Sequence, residues 1–98
     1  MPALTEKQRK HLRRLAHPLH PLVIVGNAGL TEGIVAELEQ ALGAHELVKV
    51  SARIEARAER ESALETLAER TGAQLVQRVG KIGVFYRARP LPRIVLPD

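Results

Sequence analysis

The chain has 98 residues, enough for one hydrophobic core and one domain, and carries 15 Lys/Arg, 11 Asp/Glu and no cysteine. Without thiols it can build neither a disulfide framework nor a thiolate metal site, and its longest apolar run, Leu22 to Val25, is far too short to span a bilayer. Charge is segregated: residues 1–20 hold five Lys/Arg against Glu6, residues 21–77 hold five against nine Glu, and residues 78–98 hold five against Asp98.

The two ends are therefore basic and the middle acidic, a pattern that points to a polyanionic partner if the ends meet in space. The opening stretch, MPALTEKQRKHLRR, is charged with no apolar segment behind it, so it does not read as a secretory signal. A soluble cytoplasmic domain with no membrane partner is expected.

Thr5 with Gln8 three residues on forms a capping box, which predicts a helix from there to Pro18. Leu4, Leu12 and Leu15 share one side of it, while Lys7, Lys10, Arg13, Arg14 and His17 occupy the opposite arc. The run Leu22 to Val25 reads as a strand buried on both faces. Gly26-Asn27-Ala28-Gly29 follows at once, and Thr31 then caps a second helix with Glu32 in its first turn. Ile34, Val35, Leu38 and Leu42 form the buried stripe of that helix, and Gly43 suits its end.

Residues 47–54 alternate, with Val48, Val50, Ala52 and Ile54 on one side and Lys49, Ser51 and Arg53 on the other, as in a half-buried strand. A third helix is expected over 58–71, with Leu64, Leu67 and Ala68 inward, Glu59, Glu61, Glu65 and Glu69 outward, and Thr71-Gly72 as its stop. Two strands, 73–79 and 82–87, are joined by Gly80-Lys81 in a tight hairpin. Prolines at 90, 92 and 97 make residues 88–98 an extended tail or an edge strand. The order αβαβαββ predicts an α/β fold: one compact domain over 1–98, its core at about 4–87, with a four-stranded mixed sheet packed by three helices.

The Gly26-x-x-Gly29 turn between a buried strand and a helix start can expose backbone N–H groups to an anion. It fits neither the dinucleotide fingerprint nor the nucleotide P-loop. No nucleophile–base pair or paired carboxylates stand out, so no catalysis, no small-molecule substrate and no cofactor are expected. His17 and His20 lack a third ligand nearby, and no metal is expected. Phe85 and Tyr86 are the only aromatics and alternate in facing, with Phe85 assigned to the core; a base-stacking sheet surface is poorly supported. Many arginines and few aromatics favour contacts to phosphate and shape over base identity, as in a KH-like clamp of the backbone by the GxxG loop.

Three blocks at characteristic spacing, LRRLAHPLHPLVIVGNAGLTEGIVAELEQAL, HELVKV and RTGAQLVQRVGKIGVFYR, resemble the YhbY-type RNA-binding domain, also called the chloroplast RNA splicing and ribosome maturation domain. The resemblance runs from about Leu4 to Arg87. It implies a sheet like that of the C-terminal domain of translation initiation factor 3, and RNA binding through Gly26, Asn27, Ala28 and Gly29 with basic residues of the first helix. It also implies the stand-alone bacterial form, whose members associate with precursors of the large ribosomal subunit. Where loops of the family often carry a lysine, Asn27-Ala28 is uncharged, which makes the loop backbone the expected contact.

The reading is thus a monomeric ribosome-assembly factor that binds large-subunit ribosomal RNA or a pre-ribosomal particle. Its expected surface joins Lys10, Arg13, Arg14 and His17 to the loop, with Lys49, Lys81 and Arg87 as additions. An adaptor docking through the acidic third helix is the alternative, and a phosphate-ester enzyme using the loop as an anion cradle is a third reading.

Overall fold

The computed structural model describes residues 3–98; Met1 and Pro2, the start of the expected domain span, lie outside the described residues. Seven elements follow in the expected order: α1 (Glu6–Ala16), β1 (Pro21–Val25), α2 (Glu32–His45), β2 (Leu47–Ala52), α3 (Arg57–Thr71), β3 (Gln74–Val79) and β4 (Ile82–Tyr86). The sheet order is β1-β2-β4-β3, with β1 parallel to β2 and the other two pairings antiparallel. The mixed α/β architecture expected from the sequence is the one observed. No described helix is long and apolar enough to cross a membrane.

Local chemistry explains the element ends. At α1 the Thr5 side chain accepts from the Gln8 backbone N–H at 3.1 Å, and the Gln8 carboxamide oxygen accepts from the Thr5 N–H at 3.0 Å, so the capping box is complete. Thr31 caps α2 through the Ile34 N–H at 3.2 Å, and Gly72 closes α3. Gly80-Lys81 is the expected two-residue hairpin, with Val79 opposite Ile82.

The sheet is covered on both faces. On one, Val23, Val25, Val48, Val50, Ala52 and Phe85 meet Val35, Leu38 and Leu42 of α2 and Leu64 and Leu67 of α3. On the other, Leu47, Val76, Val84 and Tyr86 meet Leu12 and Ala16 of α1, with Leu4, Ile94 and Leu96 packed around them. Gly83 lets α3 close on the sheet: a Cβ there would stand 3.0 Å from Leu64 Cδ2 and 3.2 Å from Phe85 Cε1.

Three expectations are corrected. The strand read as buried on both faces is an edge strand: Val23 and Val25 enter the core, but Leu22 and Ile24 are 56% and 47% exposed because α1 covers β2, β4 and β3 and not β1. Leu15, placed on the packing side of α1, is 40% exposed beside the same uncovered edge. Gly43 does not end α2, which continues to His45 and stops at Glu46.

Glu46 is unusual. It is a non-glycine residue at φ 63°, and it is 1% exposed. Its carboxylate accepts backbone N–H groups from Arg93 at 2.6 Å, Ile94 at 3.1 Å and Arg89 at 3.4 Å. Of the two forms expected for residues 88–98, the edge strand does not occur. These residues are tied back beneath α1, where Gln8 also donates to the Pro97 carbonyl at 3.0 Å.

Candidate nucleic-acid interface

α1 divides its basic residues between structure and surface. Arg9 turns inward and donates to the Leu75 and Val76 carbonyls at 3.3 and 3.1 Å, where the β3–β4 register shifts and those oxygens need partners. Lys7, Lys10 and Arg14 are exposed, and with His11 and Pro97 they line a shallow cleft. Arg13 is half-buried and lies 3.8 Å from Glu6, a separation at which an exposed pair contributes little.

Beyond the C-terminal end of α1 the sheet is open. A hollow of about 270 Å³ is bounded there by Arg13, His17 and Lys49 above Gln77, Val79 and Ile82. The Lys49 ammonium donates to the His17 carbonyl at 3.3 Å, which ties the middle of β2 to the helix end. Three residues separated in sequence thus face one cavity whose lining contains no carboxylate.

The Gly26–Gly29 loop is a turn closed by the Gly29 N–H donating to the Gly26 carbonyl at 2.9 Å. Gly29 sits at φ 89°, which favours glycine, and the space where a Cβ would project is open at both glycines. The loop borders a broad groove whose other wall is α3, including Ala58, Glu59, Ser62 and Thr66. The expected surface is therefore split. The loop's groove is walled by α3, whereas Lys10, Arg13, Arg14, His17 and Lys49 belong to the α1 side. The two halves share an end of the sheet, since Val25 is level with Ala52, Ser51 with Ile82, and Ile82 with Val79.

Two further candidates are held elsewhere. Arg87 donates to both Glu39 carboxylate oxygens at 3.0 and 2.9 Å and to the Thr71 carbonyl at 2.7 Å, clamping α2 and the end of α3 to β4. Lys81 pairs with Glu55 at 2.8 Å, and this hydrogen bond, with the accompanying charge attraction, lowers the Glu55 pKa. On the acidic helix, Glu61 and Glu65 lie 3.8 and 2.9 Å from Arg78, and Glu61 lies 3.5 Å from Arg57, so part of that face is already neutralised.

Phe85 is fully buried as expected, and Tyr86 is buried too, on the opposite face. No aromatic ring is left to stack bases on the sheet. Burial first, and the Glu46 charge second, push the Tyr86 phenol above its ordinary pKa. Among the described residues no group of three or more His, Asp and Glu is placed to hold a metal.

Glu46 and the inward turn of Arg9 are functional placements that the sequence analysis does not assign. The periodic signal was available for Arg9, which lies about 20° from Ala16 and about 60° from Leu12 on the helical wheel. For Glu46 no local signal distinguished it from the other glutamates.

Comparison with known proteins agrees with this architecture. The CRS1/YhbY (CRM) domain matches residues 4–87. A Pseudomonas aeruginosa protein named as a probable RNA-binding protein is 43% identical over 90 residues, covering 92% of this chain and 86% of that one. A Haemophilus influenzae protein named as an RNA-binding protein is 41% identical over 97 residues, covering 99% and 98%. The solution structure of a Staphylococcus aureus protein, described as a candidate RNA-binding protein, superposes with a TM-score of 0.84 at 34% identity, covering 97% of this chain and all of that one.

Proposed function

We propose, from the premise that the chain belongs to the CRS1/YhbY (CRM) domain family, that it binds structured RNA and acts in assembly of the large ribosomal subunit. The observation that carries this reading is the carboxylate-free hollow formed by Arg13, His17 and Lys49, continued along α1 by Lys10 and Arg14. The Arg13 and Lys49 cations converge beside the His17 imidazole with no acidic residue lining the cavity, which suits phosphate, and a guanidinium group can grip it through two N–H groups at once.

The Gly26–Gly29 loop supplies a second contact at the same end of the sheet, where bare backbone can approach a sugar-phosphate chain. With both aromatics buried, recognition rests on phosphate and shape. The protein works in the cytoplasm as a monomer, without cofactor or small-molecule substrate. The adaptor reading loses ground because Arg78 occupies Glu61 and Glu65.

The test is a salt-titrated binding assay on large-subunit ribosomal RNA fragments and matched duplex DNA. Six phosphate contacts would give a log–log slope of about −5. The pair Asn27→Asp/Ala28→Asp places two carboxylates where phosphate would sit, and Arg13→Glu/Arg14→Glu reverses the helix. Both are expected to remain folded and to lose RNA affinity. A salt-insensitive interaction, or a preference for duplex DNA, would reject the function. If only the loop pair binds as well as the native chain, the GxxG segment is a turn and α1 alone is the grip.

A further inference from the structure

Next to the phosphate hollow lies a groove that the proposed backbone contacts do not use. It has a volume of about 450 Å³, within the usual range for small-molecule sites, and it opens where α1 leaves the β1 edge uncovered. Leu15, Leu19, Leu22 and Ile94 form its walls, and His20, His45 and Lys49 supply its polar groups. Leu15, Leu19 and Leu22 are 40%, 38% and 56% exposed, so a soluble protein keeps a concentrated apolar surface here. Lys49 borders both this groove and the hollow, so the two are adjacent.

We propose that this groove receives an unpaired nucleobase of the bound RNA, while the adjoining phosphate occupies the Arg13–His17–Lys49 hollow. The proposal rests on the RNA-binding reading above and deepens it. Charge complementarity selects the occupant: neither cavity has a carboxylate in its lining, and the cations and imidazoles favour an anionic chain over an apolar peptide or a second copy of this basic protein.

The chemistry of a base fits the lining. Its faces are apolar and planar, and in a protein whose two aromatic rings are buried, leucine and isoleucine side chains must supply the dry surface. Its edge carries donors and acceptors. A neutral imidazole offers one of each, and the Lys49 ammonium can donate to a ring nitrogen or carbonyl while keeping its bond to the His17 carbonyl. A fully paired helix would keep its bases stacked and leave the groove empty. The groove therefore selects RNA carrying a bulge or loop over a continuous duplex.

The experiment compares a hairpin RNA containing a single bulged 2-aminopurine with the same hairpin lacking the bulge. The native chain is expected to bind the bulged hairpin about fivefold to tenfold more tightly, a modest share of the gain a base obtains on an aromatic platform. The 2-aminopurine emission should change on binding. Leu22→Lys is the decisive variant, because it fills the groove while adding a positive charge. A purely electrostatic surface would bind both hairpins as well or better. A base-holding groove would lose the bulge preference and the emission change while still binding the plain hairpin. Leu19→Ser, a second substitution at an exposed wall, should reduce the preference without adding charge.

Equal binding of both hairpins by the native chain would overturn the groove assignment and leave RNA binding intact. Retention of the preference by Leu22→Lys would overturn it as well. Binding of neither hairpin would remove the RNA-binding reading, and the groove assignment with it. A dimer in sedimentation that Leu22→Lys dissolves would assign the groove to a second copy of the chain instead.

Discussion

Replacing Glu46 by glutamine tests how the C-terminal segment is held. The carboxylate is buried and carries three backbone N–H groups, two on one oxygen at 2.6 and 3.1 Å and one on the other at 3.4 Å. Glutamine keeps the shape but has one accepting oxygen. With that oxygen facing Arg93 and Ile94, its NH₂ group confronts the Arg89 N–H, donor against donor. Bonds to a charged acceptor contribute about 1.5–3 kcal/mol and neutral ones about 1 kcal/mol, so losing the charge and the longest bond should cost about 2 kcal/mol. For a domain of this size that is a fall in Tm of about 8–16 °C.

The loss should also be local. Amide exchange at Arg93 and Ile94 should accelerate before exchange in β2 or β4, because Ile94 and Leu96 can detach from α1 while the opposite core stays closed. Thermal unfolding followed by circular dichroism, with hydrogen exchange at those amides, gives both readings. A Glu46→Gln protein melting within about 2 °C of the native chain, with unchanged exchange at Arg93 and Ile94, would refute the claim that this carboxylate latches the tail.

Three other outcomes are expected. Arg87→Lys keeps the charge but not the forked contact with Glu39 and Thr71, and should cost about 1–2 kcal/mol in denaturant unfolding while leaving RNA affinity within twofold, in a filter-binding assay, of the native value. Gly29→Ala forces a side chain into φ 89° and should cost about 1 kcal/mol by the same denaturant measurement, without a steric clash at the turn. The raised Tyr86 pKa means that the native state holds its proton above pH ~10 where the unfolded chain releases it, so stability is full below that pH and falls as pH rises through the native value. Tyr86→Phe should flatten this alkaline decline in a pH series of melting curves.

Much of the fold was written in local chemistry. The Thr5–Gln8 capping box, Thr31 at the start of α2, Gly72 at the end of α3 and the Gly80-Lys81 hairpin depend on residues within a few positions of one another, and each formed where its residues required. The alternation that set Val48, Val50, Ala52 and Ile54 to one side is likewise a property of the extended backbone. Composition also carried the restriction on RNA recognition, since a chain with two aromatics cannot fill a core and build a stacking platform with the same rings.

What no window of sequence contained was which element covers which face. Leu22 and Ile24 read like core residues because β-branched and aliphatic side chains look the same in a central strand and at an edge; only the order β1-β2-β4-β3, with α1 over β2, β4 and β3, leaves them in the open. Arg87 and Lys49 were indistinguishable as strand cations, and the packing turned one into a clamp on Glu39 and Thr71 and the other toward His17 and the α1 hollow. Glu46 resembled the surface glutamates until residues 89–94 returned to within hydrogen-bond reach of it. Local sequence sets backbone torsions through short-range sterics and hydrogen bonds, whereas burial and pairing depend on partners 30 to 50 positions away, and those are brought together only by the tertiary structure.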